Sequence, residues 1–343
     1  MSIQKYKTLD LRYASILVAV VEGYINTCQP ISSKYVQNNL SANLSSATIR
    51  NVMSCLEKDG FLKQMHKSGG RIPTDLGYRF YINSIKANDK LSEDVVPELE
   101  DELRTISNNV DDVLNATASM LSELSNMFSV VTISEYHNSI LIDIELVELN
   151  GNRVMLVLGM NNGLVKSIVL DLDINIKPKH MNSIIRLLKE KLIGLSLREI
   201  QNTITLRLND SSIFNHELIQ VLIHDRYSYF SIENNKLIYT SPVNVLLQQP
   251  EFQNLNNFKR ILPALDKSFL NIYINKNFDT NSDYDLIGKE NKHEVFNNCA
   301  ILTSKFETKA ISGRIGVIGP KRLNYVNVKS ILNSFRKVVQ NAI

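Results

Sequence analysis

The hydrophobic pattern over the first quarter of the chain predicts three helices. Residues 9–27 place apolar side chains at intervals of three and four, which is typical of an amphipathic helix. A serine can cap a second short helix that runs to Leu40, and Ser45 can cap a third helix that ends at Gly60. The apolar positions of the third helix share one face: Ile49, Val52, Met53 and Leu56.

A strand–turn–strand signal and a fourth helix follow the third helix. Residues 61–66 and 71–73 flank a turn with two consecutive glycines, a residue type that accepts positive φ. Thr74 can then cap a helix over residues 75–85. Three helices followed by a hairpin predict a winged helix-turn-helix.

The rest of the chain alternates helical and strand patterns. Apolar residues at 4-3 spacing over 99–127 predict a long helix, either a coiled-coil seam or one side of a helix that lies on its own domain. Residues 138–172 have turn signals between apolar strands. The remaining predictions are a helix after Pro178, strands at 269–275, 299–306 and 311–318, and a closing helix over roughly 324–341.

The charge distribution is uneven although the whole chain carries only +3. Residues 1–85 hold ten Lys and Arg against five Asp and Glu, a net charge of +5, so the remainder carries −2. A basic end on a slightly acidic chain is expected where that end meets a polyanion, although a solvated basic face would look the same.

Signatures of catalysis, metal binding and membrane insertion are missing from the sequence. The three cysteines are scattered, which suits the reducing cytoplasm, and no apolar run is long enough to span a bilayer. The glycines of residues 313–319 are spaced G-x-x-G-x-x-G and predict a hairpin strand rather than a dinucleotide site. We therefore expect a cytoplasmic protein that has no enzymatic activity, no metal, no cofactor and no membrane contact.

The polar face of the third helix is suited to the DNA major groove. Arg can bind the edge of guanine, Asn the edge of adenine, and an Ala methyl can contact thymine. The free amides of the first helical turn, and Lys or Arg on the preceding helix and in the wing, suit phosphates. Any exposed helix could carry such residues, but the order of elements and the local charge favour DNA binding. The expected DNA-binding residues are Lys34, Ser45, Ser46, Ala47, Thr48, Arg50, Asn51, Ser54, Lys58, Lys63, Lys67 and Arg71.

Several longer motifs resemble the heat-inducible transcription repressor family, HrcA. The two most specific are SSATIRN at residues 45–51 and GRIPTDLGYRFY at 70–81. The resemblance continues, in the family's order, through the motifs YTSPVN, PEF, IGKEN and GRIGVIGPKR at residues 239–244, 250–252, 287–291 and 313–322.

The resemblance implies a multidomain α+β protein with a winged-helix head, a GAF-like domain and an inserted dimerisation domain. On this chain those parts correspond to residues 1–88, a connecting long helix at 89–130, a GAF-like domain at 131–177 and 269–343, and the insertion at 178–268. Members of the family bind an inverted repeat (CIRCE) in double-stranded DNA upstream of chaperone operons as homodimers. The chaperonin GroEL helps to keep them active, so the same partners are expected here.

Two other functions stay open on the sequence. The first is a one-component winged-helix regulator whose GAF-like domain senses a small molecule, and the second is an enzyme fused to a winged helix. The sequence shows no polar cluster for a ligand and no catalytic constellation. We therefore expect a repressor of heat-shock chaperone genes.

Overall fold

The structure is a computed structural model. It describes residues 9–40, 44–65, 69–85, 99, 101, 103, 105, 110–135, 140–149, 152–161, 163, 165–172, 178–230, 237–278, 282–308 and 311–342. We call the described part of 9–85 the head and the described part of 110–342 the body.

The head consists of four helices and a two-stranded hairpin. Three helices begin at the predicted caps: the hydroxyls of Ser32, Ser45 and Thr74 accept hydrogen bonds from backbone N–H groups in the first turn. Gly60 follows the third helix with φ of +83°, as its position predicts. The elements are α1 (Leu11–Thr27), α2 (Ser33–Asn39), α3 (Ser46–Lys58), β1 (Leu62–Gln64), β2 (Arg71–Pro73) and α4 (Asp75–Ser84).

The body contains a five-stranded antiparallel sheet with helices on both faces. Successive residues of a strand point to opposite faces, so Val131 packs with the helices of one face and Val130 with those of the other. The sheet order is β7 (Ile238–Thr240), β3 (Phe128–Glu135), β10 (Ser312–Pro320), β9 (Cys299–Glu307), β8 (Tyr284–Ile287). Helices α5 (Val110–Ser125) and α13 (Tyr325–Ala342) cover one face, and α12 (Lys267–Asn277) covers the other.

The strands of a second sheet lie between β3 and β7 in the sequence. Its antiparallel order is β4 (Leu141–Glu148), β5 (Arg153–Met160), β6 (Val165–Asp171). Backbone hydrogen bonds join Leu141 to Gly194 and Leu195, just after the first helix of this region. The helices that follow the sheet are α6 (Pro178–Leu192), α7 (Leu197–Leu208), α8 (Glu217–His224) and α9 (Arg226–Tyr229). Two further helices, α10 (Pro250–Gln253) and α11 (Leu255–Ile261), precede α12, with 3-10 turns at Val243–Gln248, Leu262–Leu265, Gly288–Asn291 and Glu294–Phe296.

The structure differs from the sequence-based expectation in two places. The strand expected at 269–275 is helical, because Asp266 caps it and Leu270, Tyr273 and Ile274 lie at helical spacing on one buried face. The strands expected to share one domain, 131–177, are divided: β3 joins the five-stranded sheet, whereas β4–β6 form a separate sheet. Strand β4 of that sheet packs on α6, which belongs to the expected insertion at 178–268. The expected α+β class and the closing helix are confirmed.

Candidate nucleic-acid interface

Helix α3 separates its apolar and polar side chains as the pattern predicts. Ile49, Val52, Met53 and Leu56 are almost fully buried against α1 and α2. The opposite face points to solvent, and its exposed residues are Ala47, Arg50, Asn51 and Lys58. No ion pair or side-chain hydrogen bond occupies the Arg50 guanidinium or the Asn51 amide within the described residues. Both groups are therefore free to bind a ligand in solution.

The hydroxyls at the start of α3 are used within the protein. Ser45 Oγ accepts the Thr48 N–H at 3.1 Å and lies 2.9 Å from Thr48 Oγ1. Ser46 Oγ lies 2.9 Å from Oγ of Ser33, the first residue of α2. The expected site residues Ser45, Ser46 and Thr48 thus fix the start of α3 and its junction with α2.

Arg71, expected to reach DNA phosphate from the wing, is instead turned toward α3. Its Nε lies 2.9 Å from Glu57 Oε2 and its guanidinium donates to Ser54 Oγ at 3.2 Å. Only 13% of the Arg71 side chain is exposed. The pair neutralises its charge, so Arg71 and Ser54 connect the hairpin to α3. No local pattern marks Glu57 as the partner of Arg71, because only the fold brings the two residues together.

The other expected cations lie in different surroundings. Lys34 is exposed on α2, the helix that packs on α3. Lys63 is exposed on β1 but lines a cavity between the head and the body. Lys67 falls outside the described residues. The structure therefore gathers Lys34, Ala47, Arg50, Asn51 and Lys58 around α2 and α3, and places Lys63 elsewhere.

The hairpin is pressed against the segment that joins α1 to α2. Ile31 and Arg71 exchange two backbone hydrogen bonds of 2.9 Å. A Cβ on Gly70 would lie 2.5 Å from the carbonyl carbon and oxygen of Pro30. Gly70 is therefore needed for a close approach of two backbones, which explains one of the two turn glycines.

Much of the GRIPTDLGYRFY segment contacts the body rather than the DNA-facing surface. Arg79 donates to both carboxylate oxygens of Glu290, with Nε 2.9 Å from Oε1. Tyr78 and Tyr81 each pack on Tyr325, with ring centroids 6.0 and 6.3 Å apart. Burial raises the pKa of the Tyr78 and Tyr81 hydroxyls, so both stay neutral over the physiological range. The motif contains Tyr78, Arg79 and Tyr81, but its pattern does not predict that they contact the body.

Comparison with known proteins identifies the family. The profile of the HrcA protein C-terminal domain matches residues 111–328, more than half of the chain. A relative from Chlorobium luteolum, named heat-inducible transcription repressor HrcA, is 30% identical over 341 residues and covers 95% of each chain. The chain belongs to the HrcA family. This membership confirms the resemblance carried by the motifs.

Other HrcA relatives match this chain with similar identity and coverage. One from Thermodesulfovibrio yellowstonii with the same name is 29% identical over 338 residues and covers 96% of each chain. A crystal structure of a hypothetical protein superposes with a TM-score of 0.59 at 19% identity, over 98% of this chain and all of that one, and supports the fold alone. As a member of the HrcA family the protein is a transcription repressor.

The described residues offer neither a membrane-spanning helix nor a cluster of metal ligands. None of the described helices combines the length and the apolar character needed to cross a membrane. In the same part of the chain, no three His, Cys, Asp or Glu side chains come together as a metal site requires.

Proposed function

We propose that this HrcA protein binds operator DNA through the exposed face of α3 and so represses transcription of chaperone genes. The observation that carries the proposal is the free, exposed pair Arg50 and Asn51 on a helix whose other face is buried in the head. Arg50 is suited to the O6 and N7 atoms of guanine, and Asn51 to the N6 and N7 atoms of adenine. Lys34 and Lys58, at the edges of the same surface, suit the flanking phosphates. The head then functions as a winged helix-turn-helix.

We also propose that the repressor acts as a homodimer through the sheet β4–β6. Val147, Met155 and Val169 lie side by side across its three strands, and the two valines are 41% and 49% exposed. Val165 on the same edge strand, β6, is 64% exposed. Contiguous exposed apolar side chains on a sheet face are typical of an interface. A two-fold dimer would place two heads on an inverted repeat in double-stranded DNA.

The heat response follows from the stability of such a dimer. Unfolding rates rise steeply with temperature, so warming would deplete the DNA-binding form first. Exposed apolar strands in a partly unfolded chain aggregate, and a chaperonin such as GroEL would return the chain to its active form. Chaperonin occupied by heat-damaged proteins would leave less active repressor. Chaperone genes would then be transcribed.

Footprinting of the purified protein on its own genomic DNA tests this function. We expect protection of an inverted repeat with half-sites on one face of the duplex, about 10.5 base pairs or a multiple apart. An insertion of about half a helical turn between the half-sites should abolish tight binding. Asn51→Ala should need a higher protein concentration for the same footprint, whereas Lys276→Ala, which removes an exposed cation from the body, should leave that concentration unchanged. Uniform binding to all DNA fragments would overturn the proposal.

A further inference from the structure

A cavity of about 270 Å³ lies where the head meets the body. Tyr24, Lys63 and Tyr78 line it from the head, and Phe252, Arg260 and Glu294 are among the body residues that complete it. This volume lies just below the range of about 300–1,000 Å³ for small-molecule sites, so the cavity suits a small ligand. Its walls come from segments that are nearly 200 residues apart in the chain, so the cavity exists only when the head is seated on the body.

Two cations at the cavity have no partner within the described residues. Neither the Lys63 ammonium nor the Arg260 guanidinium forms an ion pair or a hydrogen bond there. The other two cations of the lining are neutralised, because Lys321 pairs with Asp75 at 2.7 Å and Arg322 with Glu251 at 2.6 Å. Paired and unpaired cations thus have different roles. The ion pairs connect residues around the cavity, and Lys63 and Arg260 give the cavity its excess positive charge. Glu294, exposed on the body side, is the one lining carboxylate left without a cation among the described residues.

Two tyrosine hydroxyls add neutral donors to the same lining. Tyr78 lines the cavity, and its hydroxyl has no hydrogen-bond partner among the residues that the structure describes. The half-buried Tyr24 hydroxyl also lacks one there. Each hydroxyl can donate a hydrogen bond to an acceptor bound in the cavity.

The remaining walls are apolar. Ile72 and Pro73 contribute from β2, and Ile261 and Val295 from the body. A ligand with a small apolar portion would bury it there, while its acidic group accepts hydrogen bonds from the tyrosines and pairs with the cations. A cationic ligand of the same shape would meet unpaired like charges.

We propose that this cavity binds a small organic anion, a carboxylate or phosphate with a short apolar portion, between Lys63 and Tyr78 of the head and Arg260 of the body. Such a ligand contacts both parts, so it stabilises the seated head by mass action. The exposed face of α3 lies outside the cavity lining, so the anion site and the proposed DNA surface are separate. The protein would therefore respond to the concentration of this anion as well as to temperature.

Calorimetric titration of the full-length protein without DNA tests the site. The probes are benzoate and inorganic phosphate. Benzylamine, which has the same aromatic ring and a positive charge, is the control ligand. All titrations use one ionic strength, set with sodium chloride. We expect benzoate to bind at millimolar or lower concentration and benzylamine not to bind. Arg260→Gln should weaken benzoate by about tenfold or more, because a charge-assisted hydrogen bond is lost. Tyr78→Phe keeps the ring and removes only the hydroxyl, so it should weaken benzoate several-fold.

Controls separate the cavity from general charge and from folding. Lys276→Gln removes an exposed cation of the body outside the cavity and should leave benzoate binding unchanged. If Arg260→Gln lowers the melting temperature, Lys63→Gln on the opposite wall makes the same test. Binding of phosphate alone would support the anion subsite and overturn the apolar part of the proposal. The proposal is overturned if neither anion binds, if benzylamine binds equally well, or if the cavity variants bind benzoate like the parent protein.

Discussion

Asp75, the first residue of α4, pairs with Lys321 of the body, whose Nζ lies 2.7 Å from Oδ1. The other oxygen, Oδ2, accepts the backbone N–H of Lys289 at 3.2 Å. A Cβ on Gly288, the preceding residue, would lie 2.2 Å from that same oxygen, so the glycine permits the approach. One carboxylate thus joins the head to two separate segments of the body.

Loss of this carboxylate should weaken the seating of the head. Asp75→Asn keeps the shape and removes the charge, and the two side chains are 29% and 28% exposed, so solvent screens part of the pair. We expect a loss of about 1 kcal/mol, measured by scanning calorimetry. The double variant with Lys321→Gln should lose less than the sum of the single variants. Asp210→Asn, at an exposed carboxylate of the body, is the matched control. Additive losses would show that the two residues do not interact.

Arg71 and Lys34 should differ in the salt dependence of DNA binding. Lys34 is exposed beside α3, so Lys34→Ala should reduce the slope of log affinity against log salt by about one. Arg71 is held by Glu57 and Ser54, so Arg71→Ala should lower the melting temperature of the head and leave the slope nearly unchanged. Gel-shift titrations over a salt series measure both slopes. A reduced slope for Arg71→Ala would mean that Arg71 leaves Glu57 to contact phosphate.

The two glycines Gly60 and Gly70 should respond differently to alanine. Gly60 has φ of +83° and no atom near its absent Cβ, so Gly60→Ala should cost about 1 kcal/mol of backbone strain. A Cβ on Gly70 would collide with the backbone of Pro30 and Ile31, and we expect Gly70→Ala to cost about 3 kcal/mol or more. Melting temperatures of the two variants make the comparison. Equal losses would contradict the close approach of the hairpin to residue 30.

Local sequence pattern was enough to predict the elements of the head and the exposed face of α3. Helical periodicity and capping act over a few residues, so Ser45, Gly60 and the buried row from Ile49 to Leu56 could be recognised without tertiary information. Arg71 could not be assigned in this way. Its partner Glu57 lies on another element, and only the packed hairpin brings them together.

The body was less predictable because its contacts are distant in sequence. Arg79 and Glu290 are separated by 211 positions, and no short-range signal marks either residue as the other's partner. The pattern predicts a strand in the region of α12 because most of residues 269–274 are apolar, so that neither the helical nor the strand periodicity stands out. The apolar strands β3 and β4 follow each other in the chain, and periodicity gives no indication that they join different sheets.

Lys166 should make stability depend on pH. Burial lowers its pKa to about 8, and its ammonium donates to the backbone carbonyl of Tyr229. Below pH 8 the amine is charged in both the folded and the unfolded chain, and the folded chain bears the full desolvation cost. Between pH 8 and 10.5 the folded chain binds fewer protons than the unfolded chain, so stability rises with pH.

The comparison with Lys166→Met isolates this effect, because all other titrating groups are shared. The stability of the parent protein relative to the variant should increase from pH 8 upward, as measured by melting temperature. A constant difference across this pH range would show that Lys166 has an ordinary pKa.

Base discrimination by α3 tests the central claim most directly. Affinities of the parent protein, Arg50→Ala and Asn51→Ala are measured by gel shift on the footprinted inverted repeat and on a set of symmetric single-base-pair replacements. Each variant should lose discrimination at one base pair of each half-site, by about 1–3 kcal/mol, and keep it at the others. Lys276→Ala should keep it at every position. Unchanged base preferences in both helix variants would contradict the claim that α3 reads the operator.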